Sequence, residues 1–91
     1  MDILTSKLTP SDQAIESSVG DETVLLNLEN GTYYGLDPVG TRIWALLKQE
    51  HSPAEICDLL SAEYEVEQVT IENDVRSFLT DLKTHGIVIE G

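Results

Sequence analysis

Thr23-Val24-Leu25-Leu26-Asn27-Leu28-Glu29-Asn30-Gly31-Thr32-Tyr33-Tyr34-Gly35-Leu36 decides the fold of this chain. Two runs rich in β-branched, aromatic and apolar residues flank Asn30-Gly31, the strongest short-range hairpin signal. A two-residue Asn30-Gly31 turn would pair Leu26 with Gly35 and Asn27 with Tyr34, leaving Leu36 turned away from the leucines. A three-residue turn, Glu29-Asn30-Gly31, pairs Leu28 with Thr32, Leu26 with Tyr34 and Val24 with Leu36. Side chains alternate between faces, so a one-residue slip exchanges the two sets. The three-residue turn is expected, because it gathers Val24, Leu26, Leu28, Tyr34 and Leu36 on one face and lets Gly31 supply the positive φ of a bulge. Tyr33 and Gly35 then face the other way.

Downstream, Asp37 is a good N-cap and Pro38 suits a first helical position. Val39, Ile43, Leu46 and Leu47 form an amphipathic face, flanked by Trp44, that runs to about Lys48. Gly40 permits close approach to the sheet. Ser52-Pro53-Ala54-Glu55 is a capping box that opens a second helix carrying Ile56, Leu59 and Leu60. Glu50 and His51 form the tight connection before it. Ile71, Val75, Phe78, Leu79 and Leu82 mark a third helix that starts at or shortly before Thr70 and ends at Gly86. Ile87-Val88-Ile89 reads as a short strand or extended tail. Upstream, residues 13–19 form a candidate strand that turns at Gly20-Asp21 into the hairpin. Residues 1–12 read as a flexible N-terminus with a turn at Thr9-Pro10-Ser11-Asp12. The expectation is one α+β domain over 13–91: a winged helix-turn-helix, with a three-stranded antiparallel sheet followed by three helices.

The chain has 91 residues, 17 acidic against 5 basic, for a net charge of −12. Between Glu50 and Asp74 there is no Lys or Arg. This charge repels nucleic-acid phosphates and anionic membranes and favours neutral or basic partners. No apolar run approaches the ~18–20 residues of a membrane span, and the N-terminus lacks the pattern of a secretory signal. A cytoplasmic location is therefore expected, and the single Cys57 fits a reducing compartment.

No catalytic set emerges. Cys57 falls on the apolar face of the second helix, as an inert core cysteine does. His51 and His85 lie at helix ends, and His85 suits the terminal carbonyls of the third helix. These residues lack the spacing of metal ligands, there is no calcium loop and no phosphate loop, and no cofactor is expected. Ser52 is explained by its cap, which removes an acyl-carrier reading. A winged-helix DNA-binding regulator is the more remote alternative. Asn73, Arg76 and Lys83 stand among acids on the third helix, and the basic footprint is missing.

The exposed edge remains. Thr32-Tyr33-Tyr34-Gly35-Leu36 ends the meander without the charge or proline that usually guards an edge strand. Such an edge accepts an extended peptide by strand addition. The third helix, through Val75, Phe78 and Leu82, is the expected second wall of a groove. Otherwise the helix stripe is only core, and Ile87–Ile89 covers the edge. Leu79 suits core; Tyr33 and Phe78 suit the groove.

The runs Leu26 to Leu47, Ser52-Pro53-Ala54-Glu55-Ile56, and Asp74-Val75 with Phe78-Leu79, Leu82 and Gly86-Ile87-Val88 together resemble the PqqD family, the RiPP precursor-peptide recognition elements. The resemblance spans about residues 14–90; Asp37 departs from the family's frequent Asn, and both cap helices. It implies a non-catalytic module that binds the leader of a ribosomally made precursor and hands it to a modifying enzyme. The positions it marks are Tyr33, Tyr34, Gly35 and Leu36 on the strand, and Asp74, Val75, Phe78 and Leu82 on the helix. A chain of this length is similar to the discrete recognition proteins of lasso-peptide biosynthesis. Those partner a transglutaminase-like cysteine leader peptidase and an asparagine-synthetase-like cyclase. The near alternative is a peptide chaperone for a radical SAM enzyme in quinone cofactor biosynthesis. A Lys-rich leader would suit the acidic surface.

Overall fold

The computed structural model describes residues 3–90 of the chain. A short 3-10 turn, Ile3–Thr5, precedes β1 (Leu8–Pro10), β2 (Ala14–Val19), β3 (Glu22–Asn27) and β4 (Thr32–Leu36). Helices α1 (Pro38–Lys48), α2 (Pro53–Tyr64) and α3 (Gln68–Thr84) follow, and β5 (Val88–Glu90) closes the order. Strands β2-β3-β4 form the expected three-stranded antiparallel sheet, and β1 pairs with β5 in a second, two-stranded sheet. The fold is α+β.

The helix signals act as written in the sequence. Asp37 Oδ1 accepts the Gly40 N–H at 2.6 Å, and Pro38 occupies the first turn of α1. Ser52 and Glu55 close both bonds of the capping box. Helix α3 starts two residues before Thr70, with Glu67 at its N-cap. It ends in a Schellman turn: Ile87 N–H donates to the Leu82 carbonyl, Gly86 N–H to that of Lys83, and Gly86 takes φ +72°. The core beneath is continuous, with Leu25, Ile43, Leu47, Ile56, Leu60, Val75, Leu79, Leu82 and Ile87 all at 0–1% exposure. Trp44 is buried among them, and its indole N–H donates to Glu16 Oε1 at 2.7 Å.

Three expectations are corrected. The hairpin uses neither weighed register: Asn27 pairs with Thr32, Leu25 with Tyr34 and Thr23 with Leu36, around the four-residue loop Leu28–Gly31. Gly31, at φ +71°, closes that loop by donating to the Asn27 carbonyl at 2.7 Å. Tyr34 and Leu36 do face inward, but with Leu25 and Asn27; Val24, Leu26 and Leu28 lie on the outer face with Tyr33 and Gly35. The cause is Asn27, whose buried amide donates to the His85 carbonyl and accepts from the Glu29 N–H. Secondly, the segment read as a flexible N-terminus is tied down where it is described. Leu4 and Leu8 are buried, and Leu8, Thr9 and Pro10 pair with Glu90, Ile89 and Val88; Met1 and Asp2 lie outside the described residues. Thirdly, Gly40 makes room for α3 rather than for the sheet. A Cβ there would stand 3.0 Å from Phe78 Cε1.

Gly20 and Gly86 separate two costs. Both have positive φ, but a Cβ at Gly20 meets nothing, whereas one at Gly86 meets the pinned Asn27 Nδ2 at 2.8 Å. Gly20→Ala should cost about 1–2 kcal/mol in denaturant melts and Gly86→Ala clearly more; equal losses would contradict this packing. Glu16 tests the sheet-to-helix link. Its hydrogen bond from Lys48 lowers its pKa below 4.5, burial opposes this, and the Trp44 bond reinforces it. A lowered folded pKa gives stability that is present above the unfolded value and lost as pH falls through the folded one. The advantage in Tm of wild type over Glu16→Gln should thus be full at pH 7 and shrink below about 4.5.

Candidate functional site

Strand β4 ends the larger sheet, and no other strand among the described residues pairs with its outer side. The tail does not cover it, because β5 is engaged with β1. Beside this strand lies an open cleft of about 380 Å³. Tyr34 of β4 forms one side, and Asp37, Val39, Gly40 and Ile43 supply the end contributed by α1. Helix α3 supplies the opposite wall through Asp74, Ser77, Phe78 and Asp81, an i, i+3, i+4, i+7 set one step round from its buried stripe.

The cleft's aromatic side is fixed by edge-on contacts. The Tyr34 ring meets Phe78 at 6.0 Å between centroids and His85 at 5.3 Å, with interplanar angles of 70° and 69°. His85 is held in turn, because its Nδ1 lies 2.7 Å from the Asp81 carbonyl and donates to it, as anticipated for a helix end. The Tyr34 hydroxyl donates to Asp81 Oδ2 at 3.3 Å. Phe78 reaches the first turn of α1 only because residue 40 has no side chain. The apolar floor of Val39, Ile43 and Phe78 is therefore ringed by Asp37, Asp74 and Asp81, with no Lys or Arg in the lining. An extended segment with apolar side chains and a cationic or hydrogen-donating margin suits these walls.

Of the residues singled out in the sequence, the cleft brings together Tyr34, Asp74 and Phe78. Gly35 lies on the same strand, with open space where a Cβ would stand. Tyr33 is 71% exposed on the opposite, outer face of the sheet. Leu36, Val75 and Leu82 are sealed in the core at 6%, 0% and 0% exposure. They shape the groove from behind and offer no surface to a ligand. Leu79 is core, as expected, and Cys57 is buried at 1%. The wall residues Ser77 and Asp81, and Asp37, Val39, Gly40 and Ile43 opposite, were not anticipated as lining. The three-four spacing of Asp74, Ser77, Phe78 and Asp81 was the available signal. No described helix is long and apolar enough to cross a membrane.

Fold and cleft together define a small domain whose sheet stands open along one strand. Residues 22–88 match the family model described as "Coenzyme PQQ synthesis protein D (PqqD)", and the chain belongs to that family. No curated protein matches the chain with significance. Two solved structures are similar over nearly their whole length. One is TbiB1 in complex with the TbiA(beta) leader peptide, 45% identical, with TM-score 0.81, covering 88% of this chain and 93% of that one. The other is lasso peptide synthetase B1 complexed with the leader peptide, 28% identical, with TM-score 0.83, covering 92% and 99%.

Burial raises the pKa of the Tyr34 phenol above 10, and the neighbouring Asp81 charge and hydrogen bond raise it further. In a pH titration followed by tyrosinate absorbance, Asp81→Asn should bring this ionisation part of the way down and leave the contribution of burial. A titration unmoved by Asp81→Asn would mean that the two groups do not meet in solution.

Proposed function

We propose that this protein is a non-catalytic module that binds the leader of a ribosomally synthesised precursor peptide, in lasso-peptide biosynthesis. The leader adds as a fourth strand to β4 and sets alternate side chains into the cleft against Phe78. The carrying observation is the unpaired edge of β4 beside an open cleft. Two similar proteins, each solved with a leader peptide, support it. The lasso pathway is favoured over quinone-cofactor synthesis by the likeness to lasso peptide synthetase B1, which covers 99% of that chain. The recipients of the bound leader are then a transglutaminase-like cysteine leader peptidase and an asparagine-synthetase-like cyclase. Tyr34, Gly35, Asp74 and Phe78 are the residues in reach of the peptide; Tyr33 contributes its backbone.

Calorimetry with the cognate leader should give a one-to-one complex. Phe78→Asp should weaken it at least tenfold, about 1.4 kcal/mol, because an unpaired charge in a desolvated groove is costly. Hydrogen exchange should show new protection over Thr32–Leu36 and none over β2. Wild-type affinity for Phe78→Asp, or unprotected β4 amides in the complex, would refute strand addition here.

A further inference from the structure

Gly40 is a glycine without a backbone reason to be one. Of the five described glycines, Gly20, Gly31 and Gly86 take positive φ, and Gly35 has nothing within 4 Å of where a Cβ would stand. Gly40 has neither feature. It is the third residue of α1, buried and in ordinary helical backbone, where alanine would favour the helix more. What its missing side chain supplies is room. A Cβ there would lie 3.0 Å from Phe78 Cε1, 3.3 Å from Phe78 Cζ and 3.1 Å from Asp37 Oδ1. Carbon atoms settle ~3.5–4.0 Å apart, so the Phe78 ring would have to give way by about half an ångström or more.

Only one direction is open to the ring. Behind it, Val75, Leu79 and Leu82 of the same helix are at 0% exposure in a filled core. Beside it stands Tyr34, held by Asp81 and His85. In front is the cleft of about 380 Å³, whose floor Phe78 shares with Val39 and Ile43. A methyl group at position 40 therefore drives the ring into the space that a ligand would occupy.

We propose that Gly40 is a specificity-determining position, which sets the size of the leader side chain that the cleft accepts. It rests on the strand-addition reading and adds to it the residue that grades the fit. Glycine lets Phe78 lean back against α1, and the cleft is deepest in that state. The leader residue seated there is then a large one with an apolar body, and the protein discriminates against its truncation. Gly40→Ala would convert the same domain into a reader of smaller side chains. One methylene more or less in an apolar pocket is worth about 10–200-fold, so a shift of this size is enough to separate one leader from another.

The test uses the full chain and the synthetic cognate leader, with each leader residue changed in turn to alanine and affinity read by calorimetry. For the wild type, one leader position should dominate the scan. Gly40→Ala should weaken the unaltered leader about tenfold or more, yet bind the leader truncated at that position as well as the wild type does. In a Phe78→Leu background, where the side chain at the contact is smaller, Gly40→Ala should cost nothing further. A circular-dichroism melt reports whether each variant is folded. Undiminished binding of the unaltered leader by Gly40→Ala overturns the proposal, as does a scan with no dominant position. So does an equal loss for every leader variant, which a purely structural role would give. A loss that persists in the Phe78→Leu background also overturns it, since that loss would trace to the Asp37 cap. A wild type that binds no leader, or whose β4 amides stay unprotected in the complex, defeats strand addition itself. A wild type that binds with β4 protected, beside an insensitive Gly40→Ala, defeats the size selection alone.

Discussion

The side chain of Asn27 sets the geometry on which the rest of the molecule depends. It is the only polar side chain among the buried described residues, at 2% exposure. Its amide nitrogen reaches the His85 carbonyl at 2.8 Å, and its oxygen accepts the Glu29 N–H at 2.9 Å. Leaving such groups unpaired in the interior costs about 1–3 kcal/mol, comparable to the gain from burying one leucine. Slipping β3 by one residue would turn Asn27 outward and orphan the end of α3. The amide therefore chooses which face of the hairpin is inner. Leu25 goes inward with it, Tyr34 comes to stand over His85 and Phe78, and the cleft takes its shape.

Electrostatics divides the surface into regions of different character. Three carboxylates ring an apolar floor at the cleft, while the outer sheet face is almost bare of charge. The exposed ion pairs contribute little, since Arg42–Glu63 and Lys83–Glu90 are both well hydrated. Most of the negative charge is unpaired and acts at a distance. It does not hold the fold together; it selects what approaches.

Much of this was legible in the residues. Asp37-Pro38 and Ser52-Pro53-Ala54-Glu55 located two helix starts, Gly86 located the end of a third, and the charge-free run Thr32–Leu36 located the edge. Each is a local signal, decided by a cap, a φ angle or a missing guard residue. The hairpin register was not legible, because Leu25, Leu26 and Leu28 let either face be apolar, and the deciding bond reaches Asn27 from a carbonyl 58 positions away. The groove wall was half legible. Phe78 sits at the margin of the helical stripe, and only packing against Gly40 shows that it, and not Val75 or Leu82, meets the cleft. The pairing of β1 with β5 had no signal, since three-residue strands at opposite ends of a chain carry no periodicity.

That pairing has a topological consequence. With Leu8 opposite Glu90, β1 and β5 are stitched together across nearly the whole described sequence, while Ile3–Thr5 turns on to pack against α2 and α3. Because β5 spends its hydrogen bonds on β1, the last described strand is held off the accepting flank of β4.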